Sequence, residues 1–291
     1  MPVALPTGTR RRLTRVAQSG ASRMLPPPDL AGRRVILCYH SVDPEPSYLG
    51  LTPELFDAHL AWLAEHCRVV PLDELVATPR RSGGPYVAIT FDDGYADNHE
   101  HALPLLHARA LPASFFVAVG FLERDAEVMA HLSEVWATPP ELLHPLSWTQ
   151  VDELRRAGMS IGSHTWSHRN LAHLAGAVVE ADLRLSREAL ESRLGEPVSM
   201  VAYPWGKLGR HVNDETFAAA RRAGFELGLI SLPRALREDD DPLRMARLGV
   251  GDDPVERLAA KVTGEIDWHA YVHERIPAPV ARLIFAGDAG A

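Results

Sequence analysis

Residues 86–94 have the sequence YVAITFDDG, an apolar stretch that ends in two adjacent carboxylates. The apolar part is rich in strand-forming residues and closes in a turn at Gly94, so it predicts a buried strand. Adjacent residues on an extended chain point to opposite sides, so Asp92 and Asp93 can take different roles, one holding a metal and one acting as a base. Taken alone, such a stretch is more often an Asp-Asp-Gly turn whose side chains bond their own backbone.

Predicted strands and helices alternate on both sides of this stretch. The predicted strands are residues 35–39, 68–70, 86–89, 113–119, 160–162, 200–202, 226–230 and 248–250. The helices predicted between them include residues 98–109, 149–157, 177–194 and 214–223, and residues 121–145 are expected to be irregular. Connections of this length favour parallel neighbours. Seven or eight such units in one chain favour a closed barrel over an open sheet.

The predicted fold class is therefore α/β, a distorted (β/α)7-8 barrel in a single domain. A length of 291 residues suits either one such barrel or two small domains, and the regular alternation favours the barrel. We expect the barrel domain at residues 33–275, after a flexible basic leader at residues 1–32 and before an irregular tail at residues 276–291.

Composition excludes several classes of protein. The hydrophobic content of 46% and charged content of 23% are ordinary for a globular domain. The formal charge of −8 argues against a nucleic-acid partner, which would select a basic surface. The two cysteines, Cys38 and Cys67, form neither a disulfide framework nor a cysteine zinc site, and both adjoin apolar runs. They are therefore expected to be buried free thiols.

The sequence also bears on location. No stretch approaches the roughly 20 apolar residues of a membrane helix. The arginines at positions 10, 11, 12 and 15 are not followed by an apolar segment, so a secretory signal peptide is not expected and a cytoplasmic location is. The basic arm could touch an anionic membrane surface, although a solvated tail is the commoner use of such a segment. The sequence does not indicate an oligomeric state.

Residues that could take part in catalysis or metal binding occur where predicted strands end. These residues are His40, Asp92, Asp93, His164 and Trp205. In (β/α) barrels, the carboxyl ends of the strands form the face on which functional sites assemble. The sequence therefore predicts one site at this end of the barrel.

His164 and His168 suggest a metal centre. On a helical turn, a spacing of four residues puts both imidazoles on one side, and imidazole is the commonest metal ligand. With one carboxylate from the Asp92–Asp93 pair, they give three protein ligands and an open position, as in catalytic zinc sites. In a chain with 14 histidines, a pair of surface residues is the competing interpretation.

Hydrolysis at such a metal requires a base, an acid and a donor to the oxyanion. Asp92 is available as the base and His40 as the acid. The turn at residues 203–206, YPWG, can present the backbone N–H of Trp205 as the donor. An ordinary aromatic-rich turn explains the same four residues equally well.

Together these motifs resemble those of the polysaccharide deacetylases, carbohydrate esterase family 4. The matching stretches are TFDDG at residues 90–94, HTxxHxxL at residues 164–171 and YPWG at residues 203–206, within a resemblance that covers about residues 34–250. The resemblance implies a distorted (β/α) barrel and metal-dependent removal of acetyl groups from sugar amides. It further implies that Asp93, His164 and His168 hold a divalent metal, usually Zn²⁺, and that Asp92 is the base.

The chain departs from the family pattern in two places. The arginine usually found two residues before the motif's proline is Ala202 here, and Trp205 replaces the usual tyrosine. Arg247 is a candidate substitute for that arginine, although an ordinary surface arginine fits the sequence as well. The usual C-terminal Leu-x-His is missing, whereas LCYH at residues 37–40 resembles the order-shifted members that act on exopolysaccharides. This makes His40 the candidate acid, against the alternative of a histidine that caps a strand.

We therefore predict a metal-dependent hydrolase that removes N-acetyl groups from a poly- or oligosaccharide and releases acetate, with an acetylated glycan as its partner. An O-acetyl esterase or a small-metabolite deacetylase would use the same residues. A catalytically silent carbohydrate-binding barrel is a third possibility, suggested by the missing arginine and by Trp166 and Trp205.

Overall fold

A computed structural model describes residues 30–46, 49–77 and 83–265. Residues 1–29 of the predicted leader, including the arginines at positions 10, 11, 12 and 15, lie outside the described residues. The predicted tail at residues 276–291 lies outside them as well. Within the described ranges, no helix has the length and apolar character needed to cross a membrane.

Strands and helices alternate through the described chain. The strands are β1 Arg34–Tyr39, β2 Arg68–Val69, β3 Tyr86–Phe91, β4 Ser114–Val117, β5 Ser160–Ser163, β6 Met200–Ala202, β7 Leu227–Ser231 and β8 Met245–Gly249. The α-helices are α1 Pro53–His66, α2 Leu72–Ala77, α3 Leu103–Ala108, α4 Val119–Leu122, α5 Ala126–Val135, α6 Trp148–Arg156, α7 Gly176–Leu194, α8 Asp214–Arg222 and α9 Val255–Thr263.

Seven of these strands form a closed parallel barrel. Their order around the ring is β1, β8, β7, β6, β5, β4 and β3, and β3 pairs back to β1. The short strand β2 pairs with the beginning of β3, outside the ring. This architecture confirms the predicted distorted (β/α)7-8 barrel in a single domain.

The pairing of β1 with β3 closes the barrel and brings two predicted site residues together. The two strands run in register from Arg34 opposite Tyr86 to Tyr39 opposite Phe91. His40 and Asp92 are the next residues on the two strands, so they leave the sheet side by side. A one-residue slip would turn one of these side chains to the other face of the sheet.

Alternate residues of the strands form two apolar layers. Tyr39 of β1, Phe91 of β3 and Phe56 of α1 pack together between the strands and the helices, with ring centroids 5.2–5.6 Å apart. Ile36 and Ala88 belong to a second cluster that joins strands around the ring and lines its interior. Because side chains alternate along a strand, the residues that continue this inner row are Cys38, Thr90 and Asp92. The polar chemistry therefore lies at the end of the barrel interior.

Helix α5 overturns the expectation that residues 121–145 are irregular. Its N-cap, Asp125, accepts hydrogen bonds from the backbone N–H groups of Glu127 and Val128. Val128 and Leu132, four residues apart, are its buried face. The capping residue and the apolar spacing were both present in the sequence, so the prediction of irregular structure was wrong.

The segment predicted as one helix over residues 98–109 is divided. Residues Asn98–Ala102 form a π-helical turn, and α3 follows it with Pro104 in its first turn. Proline lacks the N–H that an unbroken α-helix would use there, so the hydrogen-bond register can change at this point. Strand β8 also begins three residues before the predicted residue 248, which places Arg247 inside the strand.

Candidate active site

Asp93, His164 and His168 converge at the carboxyl end of the barrel. Oδ1 of Asp93 lies 3.3 Å from Nε2 of His164 and 3.1 Å from Nε2 of His168. All three residues are buried, and their potential ligand atoms lie within 4.8 Å of one another. The three residues that the sequence suggested as metal ligands are thus neighbours in space.

The orientation of His164 fits a metal ligand. Its Nδ1 lies 2.7 Å from the backbone carbonyl oxygen of Ala202, and a carbonyl can only accept, so Nδ1 carries a hydrogen. The protonated imidazole donates to Asp93 through Nε2, and loss of that proton leaves on Nε2 the lone pair that a metal would bind. Metal-binding histidines are held in this way by an acceptor on their other nitrogen.

The charge balance of the cluster also favours a cation. Burial alone would lower the pKa of His164, but Asp92 and Asp93 outweigh that effect and raise it. Burial would likewise raise the pKa of Asp93, yet the hydrogen bonds from His164 and His168 hold it well below its usual value. The site therefore attracts positive charge, and its donor set of two imidazoles and one carboxylate is the one that zinc accepts.

The loop between the two histidines is not the helical turn that their spacing predicted. Thr165 and His168 have left-handed backbone conformations, with φ values of 68° and 50°. The backbone N–H groups of Trp166 and Ser167 donate to the carboxylate of Asp182 on α7, at 2.9 and 3.2 Å. The imidazoles therefore meet because of this folded loop and its anchor.

Asp92 and Asp93 diverge for a different reason from the one predicted. Asp93 has a φ of 75°, so the pair is a left-handed turn rather than two residues of an extended chain. Trp205, at the third motif, also has a positive φ, of 54°. Left-handed conformations are costly for residues other than glycine and cluster at functional sites. Here they occur in each of the three motifs.

Asp92 is paired with Arg247 across the barrel. Nη1 and Nη2 of Arg247 donate to Oδ1 and Oδ2 of Asp92 at 2.7 and 2.6 Å, and both side chains are buried. Burial alone would raise the pKa of Asp92, but Arg247 and the nearby histidines, His164 above all, together outweigh it and lower the pKa, so this carboxylate is ionised. Arg247 is therefore not a surface arginine, and it supplies the positive partner that Ala202 cannot.

His40 and Cys38 lie beside Asp92. The potential ligand atoms of Cys38, His40 and Asp92 lie within 4.8 Å of one another. The thiol of Cys38 donates to Oδ2 of Asp92 over 3.4 Å. Cys38 is buried and carries no disulfide, as the sequence predicted, but its contact with Asp92 was not anticipated.

The backbone around His40 is held by two residues that the sequence reasoning overlooked. Nδ2 of Asn98 donates to the carbonyl oxygen of His40 at 2.7 Å. The carboxylate of Asp97 accepts from the hydroxyl of Ser41 and the N–H of Val42 at 2.7 and 3.1 Å. Both residues lie within a few positions of Asp93, and that proximity was the available signal.

Asp182 was also overlooked. It lies on the face of α7 that otherwise buries Val179 and Leu183. A charged residue on a buried helix face needs a partner, so its position was a signal that something polar packs there. Its partners are the two N–H groups of the histidine loop.

Trp205 contacts the histidine cluster through its side chain. Its ring lies 4.9 Å from that of His168 and 5.5 Å from that of His211. The following residue, Gly206, has a φ of 57°, and a Cβ there would lie 2.6 Å from the backbone nitrogen of Ser231. Glycine is therefore required for the turn to pack against the end of β7.

The fold and this cluster define a parallel (β/α) barrel with a candidate metal centre at the carboxyl ends of its strands. The family model for polysaccharide deacetylases matches residues 80–228, just over half of the chain. The chain therefore belongs to the polysaccharide deacetylase family, which confirms the resemblance found in its sequence.

Individual relatives agree with this assignment. Poly-β-1,6-N-acetyl-D-glucosamine N-deacetylase of Staphylococcus aureus is 24% identical over 224 residues, which cover 72% of this chain and 70% of that protein. The structure of IcaB from Ammonifex degensii superposes with a TM-score of 0.66 and 26% identity, covering 79% of this chain and 97% of that one. Streptococcus pyogenes deacetylase PplD, solved with acetate, has the same fold, with a TM-score of 0.66, 23% identity and coverage of 81% and 99%.

Proposed function

We propose that this chain is a metal-dependent hydrolase that removes N-acetyl groups from amino-sugar residues of a poly- or oligosaccharide. The observation that carries the proposal is the buried set of Asp93, His164 and His168 next to an ionised Asp92. Membership of the family and the activity named for the Staphylococcus aureus relative support the same reaction.

Asp93, His164 and His168 would hold the metal. Zinc fits these donors best, because it accepts imidazole nitrogen and carboxylate oxygen and tolerates an open position for substrate or water. When bound, the metal supplies a Lewis acid that polarises the acetamide carbonyl and makes a water molecule more acidic.

Asp92 is the proton acceptor in this proposal. It takes a proton from the attacking water as the new C–O bond forms at the acetyl carbon. Arg247 positions it, because two parallel hydrogen bonds fix the plane of the carboxylate and keep it ionised.

His40 and Trp205 complete the reaction. The backbone N–H of Trp205 donates to the oxyanion that develops on the acetyl oxygen. His40 gives a proton to the sugar nitrogen as the C–N bond breaks. The products are acetate and a free amino sugar, so each turnover consumes one water and breaks one amide bond.

The alternative of a silent carbohydrate-binding barrel rested on the missing family arginine and on Trp166 and Trp205, and the structure bears on the first of these. The pairing of Arg247 with Asp92 answers the missing arginine. A guanidinium group from β8, 155 residues away in sequence, is hydrogen-bonded to both oxygens of the carboxylate.

The test uses oligomers of β-1,6-linked N-acetylglucosamine, since that polymer is named for a relative. Purified, zinc-loaded protein should release acetate and an equal amount of free amine. Asp92→Asn should lower the rate by about 10²–10⁴-fold, whereas Asp152→Asn on the exposed face of α6 should not change it.

Two results would contradict the proposal. Acetate released from O-acetylated sugars without any free amine would identify an esterase. No acetate from any acetylated sugar, with zinc bound in the site, would identify a binding protein.

A further inference from the structure

Cys38, His40 and Asp92 are a second group of metal-ligating side chains, distinct from Asp93, His164 and His168. Cys38 and His40 are two residues apart at the end of β1, and residues with this spacing lie on one side of a strand. Asp92 joins them from β3 because the two strands are in register. Sulfur, nitrogen and oxygen donors from two strands thus lie within 4.8 Å of one another.

We propose that this group is a second zinc site, weaker than the first, and that zinc bound there inhibits the deacetylase. The inference rests on the proposed function, because that function gives Asp92 and His40 their roles. A thiolate, an imidazole and a carboxylate are ligands that zinc accepts together. An ion held by Asp92 and His40 would occupy both the proton acceptor and the proton donor.

The surroundings explain why this site would fill after the first. Arg247 already donates to both oxygens of Asp92, and its positive charge opposes a cation nearby. Each carboxylate oxygen has two lone pairs, so Asp92 can still accept a metal without losing Arg247. When the sulfur of Cys38 binds zinc, its proton leaves to solvent, which adds a further cost.

The other cysteine provides a matched control. Cys67 follows the end of α1, is partly buried, and belongs to no ligand cluster among the described residues. A general sensitivity of thiols to zinc would affect both cysteines. A specific site would depend on Cys38 alone.

The experiment titrates metal-depleted full-length protein with zinc, and compares wild type with Cys38→Ser and Cys67→Ser. Wild type and Cys67→Ser should bind two zinc ions per chain, and acetate release should rise with the first ion and fall with the second. Cys38→Ser should bind only one ion at the zinc ratio that fills both sites of wild type, and its rate, scaled to its own maximum, should not fall at that ratio. Inhibition of Cys38→Ser should need a zinc concentration at least about tenfold higher than inhibition of wild type, because one metal ligand is lost.

Cobalt gives a readout that does not depend on activity. Cobalt added to wild type beyond one equivalent should produce a near-ultraviolet cobalt–thiolate charge-transfer band, and Cys38→Ser should lack it. Absence of the band in wild type would by itself contradict the second site, so this test does not depend on whether the variant folds.

Distinct results would overturn the second site and the proposed function. One zinc per wild-type chain, no thiolate band, or equal inhibition of Cys38→Ser and wild type would each remove the second site. Activity that rises and never falls leaves the proposed function standing and removes the inference. Two bound ions without deacetylation at any zinc ratio would remove the proposed function and, with it, the inhibition.

Discussion

The proposed metal half of the site, Asp93, His164 and His168, comes from two short motifs, whereas the proposed acid–base half is assembled from three neighbouring strands. The acid–base half consists of His40, Asp92 and Arg247. In the metal half, left-handed residues fold the loops so that the ligands meet. In the acid–base half, His40 follows β1, Asp92 follows β3 and Arg247 lies in β8. The three residues meet because β1 lies between β3 and β8 in the closed ring.

This difference has a physical consequence. The metal half depends on local loop geometry and on one anchor, Asp182. The acid–base half depends on strand register over a long range, since Asp92 and Arg247 are 155 residues apart in sequence. Substitutions should therefore separate the two halves, with metal binding lost in one set and turnover lost in the other.

Substitution of Arg247 is expected to give the largest difference between the loss of turnover and the loss of bound metal. Arg247→Ala leaves the buried Asp92 without its partner, so turnover should fall by about 10²-fold or more, while the tightly bound metal stays. Arg247→Lys should recover only part of the rate, because lysine cannot form two parallel hydrogen bonds. Steady-state kinetics and metal analysis of both variants test this, with Arg156→Ala on the exposed face of α6 as control. Loss of the metal from Arg247→Ala would show that the halves are not separable.

Asp97 should make the stability of the acid–base half depend on pH. Burial raises the pKa of Asp97 to about 6, against the opposing effect of its donors Ser41 and Val42. The folded state then holds this proton more tightly than the unfolded chain does. The contribution to stability is full below the unfolded pKa of about 4 and is lost as pH rises through about 6.

Asp97→Asn cannot titrate, and this allows a direct comparison. The difference in free energy of unfolding, wild type minus variant, should fall by about 2 kcal/mol between about pH 4 and about pH 7. Urea denaturation at several pH values measures it, and Asp152→Asn controls for the loss of a surface carboxylate. A difference that stays constant over that range would refute the assignment.

Asp182 provides the corresponding test of the metal half. Asp182→Asn keeps the size of the side chain but weakens the acceptor for the N–H groups of Trp166 and Ser167. The dissociation constant of the tight metal should rise by about tenfold, as for other residues that orient metal ligands. Calorimetric titration tests this, with Glu188→Gln on the exposed face of α7 as control. Equal affinities for Asp182→Asn and wild type would show that the loop does not need its anchor.

The smallest effect is expected at Trp205. The proposed donor there is a backbone N–H, and a tyrosine ring can replace the indole against His168. Trp205→Tyr should therefore change turnover by no more than about threefold, far less than the 10²–10³ that loss of an oxyanion donor costs. A loss of that larger size would mean that the indole itself takes part.

The sequence predicted the barrel and identified the candidate residues of the metal half, because both are visible in local sequence patterns. Alternation of strands and helices reports the fold, and the motifs at Asp93 and His164 stand at strand ends. The pairing of Arg247 with Asp92 was only a hypothesis, since nothing local distinguishes Arg247 from other arginines. The contact follows from the closure of β1 against β3 and β8.

The wrong prediction for the histidine loop and the overlooked residues of the site also reflect features that a local sequence pattern does not show. The histidine loop was expected to be helical because spacing alone cannot reveal the left-handed residues Thr165 and His168. Asp182 and Asn98 act on backbone groups of distant segments, so their roles appear only when the fold is known. Helix α5 is different, because its cap and apolar spacing were visible in the sequence.

The most direct test of this account compares tightly bound metal and acetate release in three proteins after exhaustive dialysis. Wild type should keep one zinc per chain and be active, His164→Ala should keep none and be inactive, and Asp92→Asn should keep one and be inactive. This pattern would establish that the metal half and the acid–base half have separate roles. A His164→Ala protein that keeps its zinc and its activity would contradict the account.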